Sequence, residues 1–262
     1  MAINKLSVIG AGNMGGSIVK GIIKSGYLAA SSICVADPRE ETRADFENLG
    51  VSTTNDNKEA ISQADMVIIA VKPYLVEKVM QDIKSGLSGK ILVSIAAGVS
   101  LKQLTDYADQ GNLEIYRAIP NTAIAVQESM TCIATNTPVS LPVVQELFDK
   151  LGKTSVIAED LMAAATVLAS CGTAFALRYV RAAMLSGIEM GFPSGVAESM
   201  ASQTLLGAAK ILLETGNHPE TEIDKVTTPK GITITGLNEM EHAGFSSSVI
   251  QGHMASFSKI KN

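Results

Sequence analysis

Three glycines near the start of the chain have the spacing of a turn that binds phosphate groups. The segment Gly10-Ala-Gly12-Asn-Met-Gly15 follows a short apolar stretch, residues 6–9, and opens a helical pattern that runs to about residue 25. In that setting Gly10 makes the tight turn, Gly12 lets the backbone approach a pyrophosphate, and Gly15 permits close packing of helix on strand. The N–H groups at the helix start favour phosphate oxygens. The predicted cofactor-binding residues of this turn are Gly10, Gly12, Asn13, Met14 and Gly15.

An acidic residue and two arginines follow the second predicted strand. Asp37 stands where an acid usually hydrogen-bonds the 2′-hydroxyl of a ribose, which favours NAD. Arg39 and Arg43 follow closely, and an arginine there accommodates the 2′-phosphate of NADP. We therefore predict that Asp37 and Arg39 bind the cofactor. The cofactor is predicted to be NADP or NAD, in the reduced form as hydride donor, with either one used.

Three further loops lie at predicted strand ends, the edge at which open α/β sheets bind ligands. They are residues 70–73 (Ala-Val-Lys-Pro), 94–98 (Ser-Ile-Ala-Ala-Gly) and 117–122 (Arg-Ala-Ile-Pro-Asn-Thr). Lys72 is predicted either to line the nicotinamide pocket or to be a solvated loop residue, and Asn121 to donate to a carboxamide or to the substrate. The cofactor-binding residues predicted here are Val71, Lys72, Pro73, Ala96, Ala97, Gly98 and Asn121.

A second chemical signal lies far from these loops, in Val226-Thr-Thr-Pro-Lys-Gly-Ile-Thr-Ile-Thr-Gly-Leu237. Pro229 lacks a backbone donor, and Gly231 takes conformations closed to other residues. An apolar periodic segment, residues 232–243, then begins a predicted helix. A turn that leads into a helix presents free N–H groups and the positive end of the helix dipole, which suits a carboxylate. The alternative is an ordinary helix-capping loop.

The predicted cofactor-binding residues lie in a part of the chain where strand-like and helix-like segments alternate, and these segments must position them. Near-continuous apolar runs at residues 65–71 and 90–96 are typical of strands covered on both faces. Helical patterns at residues 74–85 and 101–107 lie between strands, which predicts a parallel sheet with right-handed crossovers. The predicted strands are residues 5–9, 32–36, 65–71, 90–96, 114–119 and 130–134.

After about residue 157 the strand pattern stops and helices follow. A long apolar helix is predicted over residues 161–190, and another begins at Pro193 and is closed by Gly216. Shorter helices are predicted to begin at Pro219, at Ile232 and at Ser246. The fold class is thus α/β, with a Rossmann-type parallel-sheet domain over residues 1–157 and an all-helical dimerisation domain over residues 158–262.

The apolar helices of the second domain must bury their apolar surfaces against other helices. Residues 161–177 carry no charge, but they are slightly short for a membrane span and rich in small residues, so we predict a buried bundle helix. Long apolar helices with few aromatic residues seldom cover themselves in a monomer. We therefore expect a homodimer formed through residues 161–215.

Composition excludes several classes of function. With 46% hydrophobic and 18% charged residues and a net charge of −5, the 262-residue chain offers no basic stripe for nucleic acid. Cys34, Cys132 and Cys171 are widely spaced without a CxxC pattern, which predicts reduced thiols in a cytoplasmic protein. The histidines lack metal-ligand spacing, so no metal is predicted. The N-terminus runs directly into a strand, so no signal peptide is expected.

Taken in order, these segments resemble the pyrroline-5-carboxylate reductase family. The resemblance rests on GAGNMG at 10–15, AVKP at 70–73, SIAAGV at 94–99, RAIPNT at 117–122, QTLLGAAK at 203–210, HP at 218–219 and VTTPKGITITGL at 226–237. It implies reduction of 1-pyrroline-5-carboxylate to L-proline by NAD(P)H, the last step of proline synthesis. It also implies a dimer with interlocked helical domains, often assembled further into a decamer.

The resemblance also implies roles for the second segment. Thr233 would hydrogen-bond the imine nitrogen as the catalytic residue, while Thr228 and the backbone of residues 230–233 would hold the substrate carboxylate. Asp224 aligns with an acidic position and is expected to be structural. The substrate-binding residues implied are Thr228, Lys230, Gly231, Ile232, Asn121 and Ser170.

The chain departs from the family pattern at the substrate end. Lys230-Gly231 replaces a double glycine, and Ile232 stands where a small residue or threonine is usual. In the Ala169–Ala174 segment, Cys171 and Thr173 replace a serine and a proline, and Ala123 replaces a second proline. These changes are expected to alter affinity or substrate choice while leaving the cofactor end intact. We hypothesise that Lys230 adds a charge contact to the carboxylate.

Three alternatives to this reductase stay open from the sequence. A β-hydroxyacid dehydrogenase shares the two-part architecture but uses a lysine in the long helix, and no lysine lies between Leu161 and Ala209. A non-catalytic NAD(P)-binding regulator would keep the glycines but not the Thr233 loop. A reductase of another cyclic imino acid would account for the departures.

Overall fold

The computed structural model describes residues 3–261, and the chain divides into two compact units. One unit extends to Cys171 and the other runs from Gly172 to Ile260. The predicted domain boundary, between residues 157 and 158, lies earlier in the chain than this division and stays a prediction.

Eight strands form a single sheet in the first unit. They are β1 (Leu6–Ile9), β2 (Ile33–Ala36), β3 (Ser52–Thr54), β4 (Met66–Ile69), β5 (Ile91–Ser94), β6 (Glu114–Ile119), β7 (Ser129–Thr135) and β8 (Gly152–Val156). Their order is β3-β2-β1-β4-β5-β6-β7-β8, and the strands from β1 to β6 pair in parallel. The order reverses direction between β1 and β4, which is the place where doubly wound sheets hold their ligands.

The sheet is mostly rather than wholly parallel. β7 pairs with β6 in antiparallel register, Tyr116 opposite Thr135, and β8 then pairs with β7 in parallel. The predicted parallel sheet is confirmed over β1 to β6, and β7 runs antiparallel because the connection between β6 and β7 holds only a 3₁₀ turn, Thr122–Val126. A parallel neighbour needs a longer crossover connection.

Helices cover both faces of the sheet. Those of the first unit are α1 (Asn13–Ser25), α2 (Glu40–Glu47), α3 (Asn57–Ile61), α4 (Pro73–Ile83), α5 (Leu101–Ala108), α6 (Leu141–Asp149) and α7 (Met162–Ala165). On one face Val8 and Ile68 pack in a core with Ile18 and Ile22 of α1. A second core on the other face takes the alternate strand residues together with side chains of α4 and α5. Burial on both faces explains the unbroken apolar runs and fixes the strand ends.

A π-helical turn, Thr166–Cys171, interrupts the long helix predicted over residues 161–190. Such turns add a residue to the helical ladder and are frequent at functional sites. The turn lies in the first unit, and α8 (Gly172–Glu189) then begins the second.

The second unit is entirely helical. It contains α8, α9 (Ser194–Thr215), α10 (Pro219–Lys225), α11 (Ile232–His242) and α12 (Phe245–Lys261). α8 packs against α9, and the two helices approach closely where Gly187 meets Ala197. A Cβ on Gly187 would lie only 2.8 Å from the Ala197 Cβ, so the contact requires glycine. Among the described residues of this unit, only those two are buried. The unit therefore has almost no core of its own.

One helical stretch, Glu159–Glu189, is long and apolar enough to cross a membrane by length and composition. Its most apolar window has a mean hydropathy of 1.5, and 11% of that window is buried in the single chain. The bundle helix predicted to be buried is thus largely uncovered in one chain. A helix that packs in the core of a soluble protein can have the same length and composition.

Candidate functional site

The turn between β1 and α1 uses each of its glycines differently. Gly10 has φ +92° and its N–H donates to Ala36 O at 2.8 Å, while a Cβ there would lie 2.8 Å from Ala70 O. A Cβ on Gly15 would collide with the carbonyl oxygen of Gly10. A Cβ on Gly12 would meet nothing within 4 Å, so the backbone at the helix start is open to a ligand. This is the geometry with which a helix N-terminus receives a pyrophosphate.

A cleft of about 680 Å³ opens at the carboxyl ends of β1, β4, β5 and β6. Its volume falls within the usual range for sites that hold a small molecule or cofactor. The predicted site residues that the structure brings together in its lining are Gly10, Gly12, Asn13, Met14, Asp37, Arg39, Val71, Lys72, Pro73, Ala96, Ala97 and Ser170. An open glycine turn, a charged pair and small apolar side chains are the groups that a dinucleotide requires, so the cleft fits one.

Asp37 is the most strongly held charge in this cleft. Its carboxylate is 4% exposed and accepts from the Ala11 N–H at 2.9 Å and from the Arg39 Nε at 3.0 Å. Burial by itself raises the pKa of Asp37, but the hydrogen bonds from Arg39 and Ala11 and the charge of Arg39 outweigh it. The pKa therefore lies below its usual value, and the group is ionised near neutrality.

Three predicted cofactor-binding residues do not line the cleft. Gly15 packs inside the turn, and Gly98 takes φ +79° in the loop before α5. Asn121 is buried, with its Oδ1 accepting from the Ala123 N–H and its Nδ2 donating to Ala169 O, both at 3.0 Å. Its amide thus joins the loop after β6 to the π-helical turn that carries Ser170. Binding of the cofactor by these three residues, and of the substrate by Asn121, stays a prediction.

Thr166 also lines the cleft, although the sequence did not single it out. Its hydroxyl donates back to Met162 O at 2.8 Å. Its position depends on the π-helical turn, for which the apolar sequence carries no signal.

An ion pair between the buried Arg117 and the partly exposed Glu159 supports this side of the cleft. Arg117 Nη1 lies 2.9 Å from Glu159 Oε1, with the Arg117 side chain 9% exposed. The same oxygen accepts from the Leu101 N–H at 2.5 Å. Glu159 thereby ties β6 and the start of α5 to the segment that leads into the π-helical turn.

The Thr228–Thr233 loop belongs to the second unit. The Gly231 N–H donates to Thr228 O at 2.9 Å, and Gly231 caps α11, which begins at Ile232. Thr228, Ile232 and Thr233 are exposed. Among the described residues, neither threonine hydroxyl has a hydrogen-bond partner, and the first amides of α11 have no intrahelical acceptor. The loop therefore has hydroxyls and amides without acceptors or donors of their own in the described part of the chain, and its predicted role in binding the substrate carboxylate stays a prediction.

Lys230 holds a left-handed backbone conformation with φ +59°. That conformation costs a residue with a side chain roughly 1–2 kcal/mol, whereas glycine adopts it freely. The strain falls at the position where the family pattern has a glycine. Both departures at Lys230, charge and conformation, therefore act on the same turn.

Replacing Lys230 with glycine should stabilise the protein. The expected gain in the free energy of unfolding is about 1 kcal/mol, because the relieved strain exceeds the greater entropy lost by glycine. Urea unfolding measures it, and Lys230→Ala is the control because alanine also lacks the ammonium group but keeps the strain. Equal unfolding midpoints for the two variants would contradict the left-handed assignment.

Comparison with known proteins gives one family-model match in the N-terminal part of the chain and another in the C-terminal part. The model described as pyrroline-5-carboxylate reductase dimerisation matches residues 159–262, and the model described as NADP oxidoreductase, coenzyme F420-dependent, matches residues 5–98. A solved structure of Plasmodium falciparum pyrroline carboxylate reductase with NADP bound superposes with a TM-score of 0.86 at 25% identity. It covers 98% of this chain and 97% of that one.

Curated relatives align with nearly the whole chain. Pyrroline-5-carboxylate reductase 1 of Dictyostelium discoideum is 38% identical over 98% of this chain, which spans only 49% of that longer relative. Pyrroline-5-carboxylate reductase 2 of the same organism is 37% identical, over 97% of this chain and 91% of its own length. The chain belongs to the pyrroline-5-carboxylate reductase family.

Proposed function

We propose that this chain reduces 1-pyrroline-5-carboxylate to L-proline with a hydride from NAD(P)H, the last step of proline biosynthesis. The observation that carries the proposal is the dinucleotide-shaped cleft in a chain of this family. The open turn at Gly12, the charged pair at Asp37 and the small residues Ala96 and Ala97 are the features of that cleft.

The reaction needs positioning more than strong acid catalysis. A protonated cyclic imine is already electrophilic, so hydride adds to the imine carbon while the electrons of the C=N bond move to nitrogen. Bound NAD(P)H supplies the hydride. Within the described residues there is no grouping of three metal-binding side chains, and the proposal requires no metal.

The second unit supplies the groups that suit the substrate. The amides at the start of α11 and the Thr228 hydroxyl bind the carboxylate, and the Thr233 hydroxyl hydrogen-bonds the imine nitrogen. The Lys230 ammonium adds a charge near the carboxylate. If that charge matters, Lys230→Ala and Lys230→Gly will both raise the KM for pyrroline-5-carboxylate, and an unchanged KM would remove Lys230 from substrate binding.

A single assay tests the activity. The purified protein is mixed with 1-pyrroline-5-carboxylate, and oxidation of NADH and of NADPH is followed by absorbance. We expect turnover with L-proline as the product. No turnover with either cofactor would overturn the proposal, and faster reduction of the six-membered cyclic imino acid would identify the chain as a reductase of another cyclic imino acid.

We also propose that the chain is a homodimer formed through its helical unit. The support is that only Gly187 and Ala197 are buried among the described residues of that unit, while Leu177, Met190 and Leu213 are 63%, 73% and 79% exposed. An isolated helical unit with so little core does not stand alone. Sedimentation velocity measures the mass, which would also reveal assembly of dimers into a decamer.

We further propose that the protein acts in the cytoplasm. Cys34, Cys132 and Cys171 are all free. Burial raises the pKa of the Cys34 and Cys132 thiols, with Glu59 adding to the effect at Cys34, so both favour the unreactive thiol form. Fractionation of cells that express the chain tests this location.

A further inference from the structure

Glu159 connects two segments of the chain that both line the cleft. Its Oε1 accepts from the Leu101 N–H at 2.5 Å and from Arg117 Nη1 at 2.9 Å. Leu101 begins α5, and the loop before α5 brings Ala96 and Ala97 to the cleft. Glu159 itself begins the segment that leads through α7 into the π-helical turn. A single carboxylate oxygen therefore attaches this segment to the loop after β5.

Arg117 lies beneath the cleft and does not line it. The residue is 8% exposed, and its neighbours across the sheet are Ser94 on β5 and Ala134 on β7. Its Nε has no hydrogen-bond partner among the described residues. A guanidinium this buried is unfavourable unless a carboxylate compensates its charge. Glu159 is its one ion-pair partner in the described part of the chain, so Arg117 acts through Glu159.

The segment that Glu159 begins has a second attachment near its other end. Asn121 Nδ2 donates to Ala169 O at 3.0 Å. Between the two attachments, Met162 is buried in a small core with Ile119 and Cys132. A π-helical turn departs from the regular helical ladder, so helix propagation alone does not fix where its side chains point. The attachments at both ends therefore determine how the turn presents its side chains.

The side chains that the turn presents to the cleft are those of Thr166 and Ser170. A dinucleotide binds across the point where the strand order reverses, with the ribose of its adenosine at the end of β2. Its nicotinamide half then lies towards β5, β6 and the π-helical turn. Hydride transfer is sensitive to the placement of this half, because a displacement of about 1 Å can lower the rate roughly 100-fold.

We propose that Glu159 and Arg117 are positioning residues for hydride transfer. They hold the π-helical turn against the loop after β5, and the two attached segments fix the nicotinamide half of the cleft. The adenosine half, built on the turn at Gly12 and on Asp37, does not depend on this ion pair. The inference deepens the proposed function and rests on it in taking the cleft to hold NAD(P)H.

Three variants separate positioning from stability. Glu159→Ala removes the shared acceptor and leaves the buried Arg117 charge unpaired, which should lower the thermal midpoint. Adding Arg117→Met removes that charge, so the double variant should regain most of the midpoint while the attachment stays broken. Glu159→Gln loses the charge but keeps an oxygen where Oε1 accepts both hydrogen bonds. It should lower the midpoint and keep the attachment.

Fluorescence anisotropy of bound NADPH reports how firmly the nicotinamide ring is held, and the measurement requires no imine. The anisotropy should fall in Glu159→Ala and in the double variant, and stay near the wild-type value in Glu159→Gln. The kcat for 1-pyrroline-5-carboxylate should fall about 10- to 100-fold in the first two and be largely retained in the third. The primary isotope effect with deuterated NADPH should rise where kcat falls, because hydride transfer then limits the rate. Calorimetric affinity for adenosine 5′-diphosphate should not change in any of them.

The matched control is Lys102→Ala, which removes an exposed ion pair with Asp106 next to Leu101 on α5 and should change none of these quantities. Wild-type anisotropy in Glu159→Ala would overturn the proposal. A double variant that regained turnover together with its thermal midpoint would also overturn it, because the ion pair would then serve stability alone. If the wild type did not reduce the imine, the proposed function would fail, and the anisotropy would still decide whether the ion pair holds the nicotinamide.

Discussion

Replacing Gly15 with alanine should weaken NADPH binding by at least about 100-fold and lower the thermal midpoint. The added Cβ collides with the carbonyl oxygen of Gly10, which is backbone and has no rotamer to escape into. Helix α1 must therefore move away from the turn, and two or more charge-assisted hydrogen bonds to the pyrophosphate, at roughly 1.5–3 kcal/mol each, are lost. The overpacking itself costs about 1–3 kcal/mol of unfolding free energy.

The matched variant is Gly12→Ala. Its Cβ meets no protein atom within 4 Å, so the thermal midpoint should stay close to that of the wild type. Binding should still fall, because the methyl group occupies space that the backbone leaves open for the phosphates. Calorimetry and thermal unfolding of both variants check the pair. If Gly15→Ala bound NADPH as well as the wild type, the proposed packing of α1 on the turn would be wrong.

Replacing Thr233 with alanine should lower the kcat for 1-pyrroline-5-carboxylate by about 10- to 100-fold. The nitrogen of the protonated imine gains a lone pair as hydride adds to the carbon, so a hydroxyl that donates to this lone pair binds the transition state more strongly than the ground state. Loss of such a hydrogen bond, worth roughly 1.5–3 kcal/mol, gives this factor. Steady-state kinetics at saturating cofactor measure it.

Two variants control for effects on the helix. Thr233→Ser keeps the hydroxyl and should retain most of the turnover. Thr235→Ala removes an exposed threonine two residues further along α11, whose hydroxyl donates to Gly231 O at 3.2 Å. That variant should change kcat little. A Thr233→Ala enzyme with wild-type kcat would exclude the hydroxyl from the reaction.

The central sheet could be predicted from the sequence because its strands are buried on both faces. The apolar runs at β4 and β5 and the strand β6 (Glu114–Ile119) follow directly from that pattern. The outer strands β3 and β8 were not predicted, since Ser-Thr-Thr and Gly-Lys-Thr-Ser-Val carry no such run. The antiparallel pairing of β7 depends on the short connection before it, which strand periodicity does not report.

The candidate site was predictable where it depends on spacing and not where it depends on side-chain partners. Glycine spacing and strand ends identified most of the residues that line the cleft. The sequence correctly predicts that Asp37 and Asn121 lie at the carboxyl-terminal edge of the sheet. It does not predict their hydrogen bonds, because these join residues that are 26 and 48 positions apart in the chain. The left-handed backbone of Lys230 likewise depends on the local turn, because lysine usually avoids it.

Gly187 and Ala197 are the only buried residues among those described in the helical unit. This small core has a consequence for how cofactor binding and substrate turnover depend on protein concentration. The cleft for the dinucleotide is shaped by the core of a single chain, so its geometry does not change when the protein is diluted. The helical unit that carries Thr233 has no comparable core, and in the proposed dimer its order depends on mass action. The affinity for the cofactor should then be independent of protein concentration. The turnover number per chain, in contrast, should fall when dilution dissociates the dimer.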